Sequence, residues 1–152
     1  MKLSQKEKLL LEDQKSHEEM CIKKYLNYAQ QAHDPKLQQL FRNYASQEQQ
    51  HLNTLQQILN GQTPVASQQA QQNADSSIAS SSNGFLQNQS DSTLCQDALM
   101  TEKYVSGTYN STIFECNDTV VRQTLNHIQK EEQEHGEGIF NYMKSHGLYN
   151  VT

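Results

Sequence analysis

Apolar positions recur at helical spacing in four stretches of the chain and fade out in a fifth. Leu37, Phe41, Tyr44, Glu48, His51, Leu55 and Ile58 follow steps of 4, 3, 4, 3, 4 and 3. Val121, Leu125, Ile128, Glu132, His135, Ile139 and Tyr142 follow the same steps. Residues so spaced line one face of an α-helix. Two further stripes are Leu11, Glu18, Ile22, Tyr25, Ala29, Ala32 and Ala98, Glu102, Val105, Tyr109, Ile113, Cys116. The punctuation agrees. Ser4-Gln5-Lys6-Glu7 is a capping box, Asp34-Pro35 is an N-cap followed by proline at the first helical position, and Asn117-Asp118 repeats the cap. Gly61 and Gly147 suit left-handed C-termini. The pattern predicts helices over about 4–33, 35–60, 92–116 and 118–146. Between the second and third, more than half of 62–91 is Gln, Asn or Ser, and only Asp75 and Asp91 are charged. Such a segment is too polar to repay its ordering entropy, and it reads as a flexible linker.

The two halves of the chain echo one another. A single constant offset places Asp13 on Asp97, Glu18 on Glu102, Tyr25 on Tyr109, Asp34 on Asp118, Glu48 on Glu132 and His51 on His135. A helical hairpin cannot bury its apolar face alone, so two copies are expected to pair. The expected fold is all-α: one domain over 1–152, a four-helix bundle of two repeated hairpins. A bundle with one long crossover connection has helices two and three parallel. The linker must then climb about 35–40 Å along helices of this length, well within the reach of an extended chain.

Composition narrows the class. Apolar residues make up 34% and charged residues 19% of the chain, the net charge is −5, and abundant Gln and Asn supply the remaining polarity. No apolar run approaches the about 20 residues that span a bilayer, and the opening lacks a signal peptide's hydrophobic core. An acidic chain with scattered Lys and Arg has no nucleic-acid footprint. The three cysteines, Cys21, Cys95 and Cys116, form no Cys-x-x-Cys pair. This set favours a reducing compartment over a disulfide framework or a zinc site. Asn-x-Ser/Thr triplets at Asn88, Asn110, Asn117 and Asn150 follow from the abundance of those residues and are not expected to be glycosylated.

The anomaly is a Glu and a His in the middle of stripes that should be buried. A bare carboxylate in an apolar interior costs several kcal/mol, so it must be paired, protonated or metal-bound. Glu48-x-x-His51 and Glu132-x-x-His135 each put both side chains on one face. Glu18 precedes Glu48 by the same interval as Glu102 precedes Glu132, and each has a Tyr two helical turns later, Tyr25 and Tyr109. No Lys or Arg occupies the stripes, and two divalent cations would neutralise four carboxylates. Carboxylate and imidazole ligands without thiolate suit Fe or Mn rather than Cu(I). Helical side chains lean toward the N-terminus, so Tyr25 and Tyr109 point back toward the glutamates and can orient them. Tyr is also a common core filler, which leaves packing as the alternative. His17, His33, His127 and His146 lack a carboxylate partner on an inner stripe and read as surface histidines.

A Glu from each of two helices plus two Glu-x-x-His motifs is the ferritin-like di-metal arrangement. The first half, from Glu18 through Tyr25-x-x-Tyr28-Ala29 to Ala45-x-x-Glu48-x-x-His51, looks like a rubrerythrin or bacterioferritin helix pair. Glu102-Lys103-Tyr104-Val105-Ser106-Gly107-Thr108-Tyr109, with Leu125 through Gly136, resembles more closely the spore coat protein F family of endospore-forming bacteria. The resemblance implies a ferritin-like bundle in which Glu48 and Glu132 bridge two metals. Glu18 and Glu102 would be terminal ligands, and His51 and His135 would cap one ion each. It implies two Fe ions, with Mn as second choice, and O2, peroxide or Fe(II) as small substrates of an oxidase or peroxide scavenger. It also implies other coat proteins or a second copy as partners, in the mother-cell cytoplasm and the spore coat. Two departures from rubrerythrin stand out: there is no rubredoxin-type Cys-x-x-Cys module, and Val105 occupies the position of an additional Glu ligand. The alternative is a purely structural coat protein whose metals only hold the bundle together.

Overall fold

Each helix starts where a short polar side chain takes an orphan backbone N–H. The computed structural model describes residues 1–64 and 88–149. In α1 (Gln5–Gln31), Ser4 Oγ accepts from the Glu7 N–H at 3.1 Å and the Glu7 carboxylate accepts from the Ser4 N–H at 2.6 Å. Helix α2 (Pro35–Leu59) is capped by Asp34, which accepts from the Lys36 N–H at 2.9 Å. Helix α3 (Asp91–Glu115) is capped by Ser90, and α4 (Thr119–Ser145) by Asp118. Gly61 (φ 78°) and Gly147 (φ 68°) follow the ends of α2 and α4 in the left-handed region, where an L side chain would be strained. Among the described residues there are four helices and no strand. Most of the expected linker, 65–87, lies outside them; α3 begins within its expected last residue, Asp91.

Packing sets the helix directions. One core cluster joins the end of α1 (Tyr25, Tyr28, Ala32), the start of α2 (Leu37, Phe41), the start of α3 (Leu94, Ala98) and the end of α4 (Ile139, Met143). The other joins Leu11 of α1, Leu55 and Ile58 of α2, Tyr109 of α3, and Val121, Leu125 and Ile128 of α4. The starts of α2 and α3 therefore share one end of the molecule, and these two helices run parallel, each antiparallel to α1. Leu37, Phe41, Leu55, Val121 and Leu125 are all 0% exposed, each contributing about 1.5–3 kcal/mol through burial of its side chain.

Polar groups tie the seams. Glu7 reaches across from α1 to accept the Asn117 N–H at 2.8 Å, in the α3–α4 turn. At the opposite end, Asp91 accepts the N–H groups of His33 and Asp34 at 2.8 and 3.1 Å, in the α1–α2 turn. Gln14 and Thr112 are buried together, with Gln14 Nε2 donating to Thr112 Oγ1 at 3.0 Å. Two stripe positions differ from expectation. Thr112 is buried and Ile113 only partly so, and Met143 goes inside while Tyr142 lies half out, its hydroxyl donating to Asp34 at 2.6 Å. The three cysteines are free and buried. No helix among the described residues is long and apolar enough to cross a membrane.

Candidate metal centre

Between the two core clusters the bundle holds a layer of charge. Glu18 comes from α1, Glu48 and His51 from α2, Glu102 from α3, Glu132 and His135 from α4. None is more than 3% exposed. All six residues expected from the sequence converge there. Their donor atoms fall into two overlapping groups: Glu18, Glu48, His51 and Glu132, and Glu48, Glu102, Glu132 and His135. Within each group the atoms lie within 4.8 Å of one another. Glu48 and Glu132 belong to both.

The imidazoles share one orientation. His51 Nδ1 faces inward, 3.0 Å from Glu132, 3.5 Å from Glu48 and 3.7 Å from Glu18. His135 Nδ1 also faces inward, 2.9 Å from Glu48, 3.4 Å from Glu102 and 3.7 Å from Glu132. The outward nitrogens meet residues that the helical stripes do not reveal. His135 Nε2 donates to Gln47 Oε1, and His51 Nε2 stands 3.4 Å from Glu131 Oε1. Each flanks its own glutamate in sequence and so looks like a solvated neighbour of the motif. Its role emerges only when α2 is laid against α4. A proton held on Nε2 leaves the Nδ1 lone pair free for a metal.

The tyrosines cross between hairpins. Tyr109 Oη donates to Glu18 Oε1 at 2.5 Å, and Tyr25 Oη donates to Glu102 Oε1. Each phenol serves the carboxylate of the other half, not the one on its own helix. Tyr44 stacks on His135 with ring centroids 4.2 Å apart. It is accommodated by Gly138, where an added Cβ would collide with the Tyr44 hydroxyl. His17, His33, His127 and His146 lie outside both groups.

The donor set fits metal ions. Among the described residues no Lys or Arg pairs with any of the four glutamates. Several buried atoms of the layer have no hydrogen-bond partner: Glu18 Oε2, both Glu48 oxygens, His51 Nε2, Glu102 Oε2, Glu132 Oε2 and His135 Nδ1. Such atoms cost about 1–3 kcal/mol each when left unsatisfied, and more when charged. Without cations the cluster must hold protons. Burial, then the Glu132 charge, keeps Glu18 well above the usual carboxylate range. Burial, then the contact with Glu132, pushes Glu102 up to about 8. Burial works the same way on Glu48, but contacts from Glu18 and both histidines outweigh it and bring it down to about 2. Burial opposes a charged His135, yet Glu102, Glu132 and Glu48 push it up to about 12. Divalent ions would displace these protons.

On the α1–α3 face, one turn from Glu18 and Glu102, lies a cleft of about 340 Å³ with buried Cys21 and Val105 on its floor and exposed Met20, Met100 and Tyr104 at its rim. Burial and the surrounding glutamates raise the Cys21 thiol well above its ordinary value, so it stays protonated.

Residues 90–152 match the family model of the Coat F domain, which supports the resemblance to the spore coat protein F family. The match covers α3 and α4, hence Glu102, Tyr109, Glu131, Glu132 and His135. No curated protein and no solved structure matches the chain.

Proposed function

We propose that this chain is a ferritin-like di-metal carboxylate protein associated with the spore coat, built from two copies of one hairpin and holding two ions, iron first and manganese second. One observation carries the reading: four carboxylates and two inward Nδ1 atoms are sealed in one layer without Lys or Arg among the described residues. Glu48 and Glu132, common to both donor groups, would bridge. Glu18 with His51, and Glu102 with His135, would complete one ion each. When bound, such a metal pair supplies two redox equivalents at one place, suited to O2 or peroxide with Fe(II) as the reductant. The chain's own residues do the rest. Tyr109 and Tyr25 hold Glu18 and Glu102 in orientation, and Gln47 and Glu131 stand behind the imidazoles. The two apolar clusters exclude bulk water, and the cleft over Cys21 and Val105 offers an approach for a small molecule.

The Coat F match favours a second reading, a coat building block whose ions only staple the helices. Oxygen consumption separates the two. Adding Fe(II) to the aerobic protein should consume O2 and build a ferric absorption band, with Glu18→Ala and His135→Ala inactive. Oxidation at the buffer rate in all three, together with a melting temperature that falls on chelation, would establish the structural role instead.

A further inference from the structure

We propose that the two metal positions are inequivalent, the His51 position binding a divalent cation first and more tightly because Glu131 backs its imidazole where Gln47 backs the other. The inference rests on the di-metal reading and adds to it an order of loading. The internal repeat provides the control within one molecule. Glu18 and Glu102, Glu48 and Glu132, His51 and His135, Tyr25 and Tyr109 are identical pairs, and the donor groups they form have the same composition, three Glu and one His. Gln47 and Glu131 are also equivalent in the repeat and hold the same station against the partner imidazole, but they differ in charge. Gln47 Oε1 accepts from His135 Nε2 as a neutral amide. Glu131 Oε1 lies 3.4 Å from His51 Nε2 and also pairs with His127 Nε2 at 2.8 Å. Asn43, which holds the station of His127 in the first half, has no such carboxylate to pair with at position 47.

The two positions differ in the charge behind the imidazole: Gln47 is a neutral hydrogen-bond acceptor, whereas Glu131 is a carboxylate at ion-pair distance that makes no hydrogen bond to His51 Nε2. The carboxylate adds one negative charge close to the His51 position, which attracts a dication directly. Glu131 is only partly exposed, with a quarter of its side-chain surface open, so screening by solvent is incomplete. Glu131 and Gln47 are thus positioning residues acting through His51 and His135. The stacking of Tyr44 on His135 does not offset this, because a ring face adds no anionic charge.

The test is a Mn(II) titration of the full-length, metal-stripped protein, counting free Mn(II) by its EPR signal. The wild type should bind two ions in steps separated by about tenfold or more, the scale on which such outer partners change affinity. Repulsion between ions would also separate the steps, so the variants assign them. His51→Ala should lose the tight step, whereas His135→Ala should keep it and lose the weak one. Glu131→Gln should weaken the tight step about tenfold, and Gln47→Glu should tighten the weak step by a similar factor. Far-ultraviolet circular dichroism of each metal-free variant checks the fold, and Gln47→Glu stands as an independent arm if Glu131→Gln is unstable. Equal loss of the tight step in both His variants, or a Glu131→Gln protein whose steps are unmoved, overturns the inequivalence while leaving the di-metal reading intact. No Mn(II) bound by the wild type overturns both.

Discussion

The two ends of the bundle bracket the same charged layer with different materials. At the end where α1 turns into α2, the core carries four rings, Tyr25, Tyr28, Phe41 and Tyr44, among aliphatic side chains, with Phe41 5.3 Å from Tyr28 and 5.9 Å from Tyr25 between centroids. At the other end Tyr109 is the one ring, and Leu11, Leu55, Ile58, Val121, Leu125 and Ile128 fill the rest with aliphatic groups. Phe41 and Leu125 are equivalent in the repeat, as are Tyr44 and Ile128, so the same stations are filled by different shapes. The layer between them shows the opposite behaviour, since its Glu, His and Tyr positions are identical pairs. An apolar station asks for volume and face, and many side chains satisfy it. A carboxylate in a dry interior has few partners that will do.

The largest effect should come from removing one filler at each end. Phe41→Ala should cost about 3–5 kcal/mol and Leu125→Ala about 2–5 kcal/mol in urea unfolding of the metal-free protein, with Phe41→Ala the costlier of the two because aromatic pairs add to area burial. Equal losses would show that the rings contribute no more than aliphatic packing.

Metal removal comes next and addresses the layer itself. With Mn(II) at a hundred times the dissociation constant of the tighter site, binding to the native state alone stabilises by about 2.7 kcal/mol through that site. A chelated sample should melt several degrees lower by calorimetry, and Glu48→Ala should show little further response to Mn(II). An unchanged melting temperature would remove any structural role for the ions.

Tyrosine hydroxyls then separate the layer from its rim. Tyr109→Phe takes a donor from Glu18, which is fully buried, and should cost about 1–3 kcal/mol without metal. Tyr28→Phe takes a donor from Asp97, which keeps Lys24 at 3.1 Å and is partly open to water. It should cost less than about 1 kcal/mol. A costlier Tyr28→Phe would mean that burial does not rank these bonds.

An effect of similar small size is a pH dependence at the end where α1 starts. Burial raises the Glu7 carboxyl, but the N–H groups of Asn117 and Ser4 outweigh it and hold its pKa below 4.5. A lowered folded-state value gives stability that is present above 4.5 and lost as pH falls through the folded pKa. Glu7→Gln should therefore cost about 1 kcal/mol at neutral pH, the scale of a lost cap, and progressively less as the solution is acidified below 4.5. A gap that persists into acid would assign the effect to packing.

Much of this architecture was legible along the chain because caps and periodicity are local. Ser4, Asp34 and Asp118 mark helix starts wherever they stand, and two Glu-x-x-His motifs inside apolar stripes single out the charged layer. What escaped depends on the facing helix. Periodicity names the buried face but not the neighbour across it, so the crossing of Tyr25 to Glu102 and of Tyr109 to Glu18 could not be read from either helix. Gln14 and Thr112 look like surface residues until each supplies the other's hydrogen bond. Tyr142 falls on the apolar stripe but keeps its hydroxyl at the margin for Asp34, and Met143 takes the interior place. Glu131 was hidden by its sequence neighbour Glu132, which carries the same charge and has a more conspicuous position.

The crossed tyrosines also act as a gauge of alignment. If one hairpin slid past the other by a single helical turn, about 5.4 Å, both phenols would miss their carboxylates together, and Glu18 and Glu102 would lose those donors in a dry interior. Apolar side chains can tolerate such a slip by repacking, because one methyl group resembles another. A pair of phenols aimed in opposite directions across the seam cannot. The register of the two hairpins is therefore checked twice, once from each side.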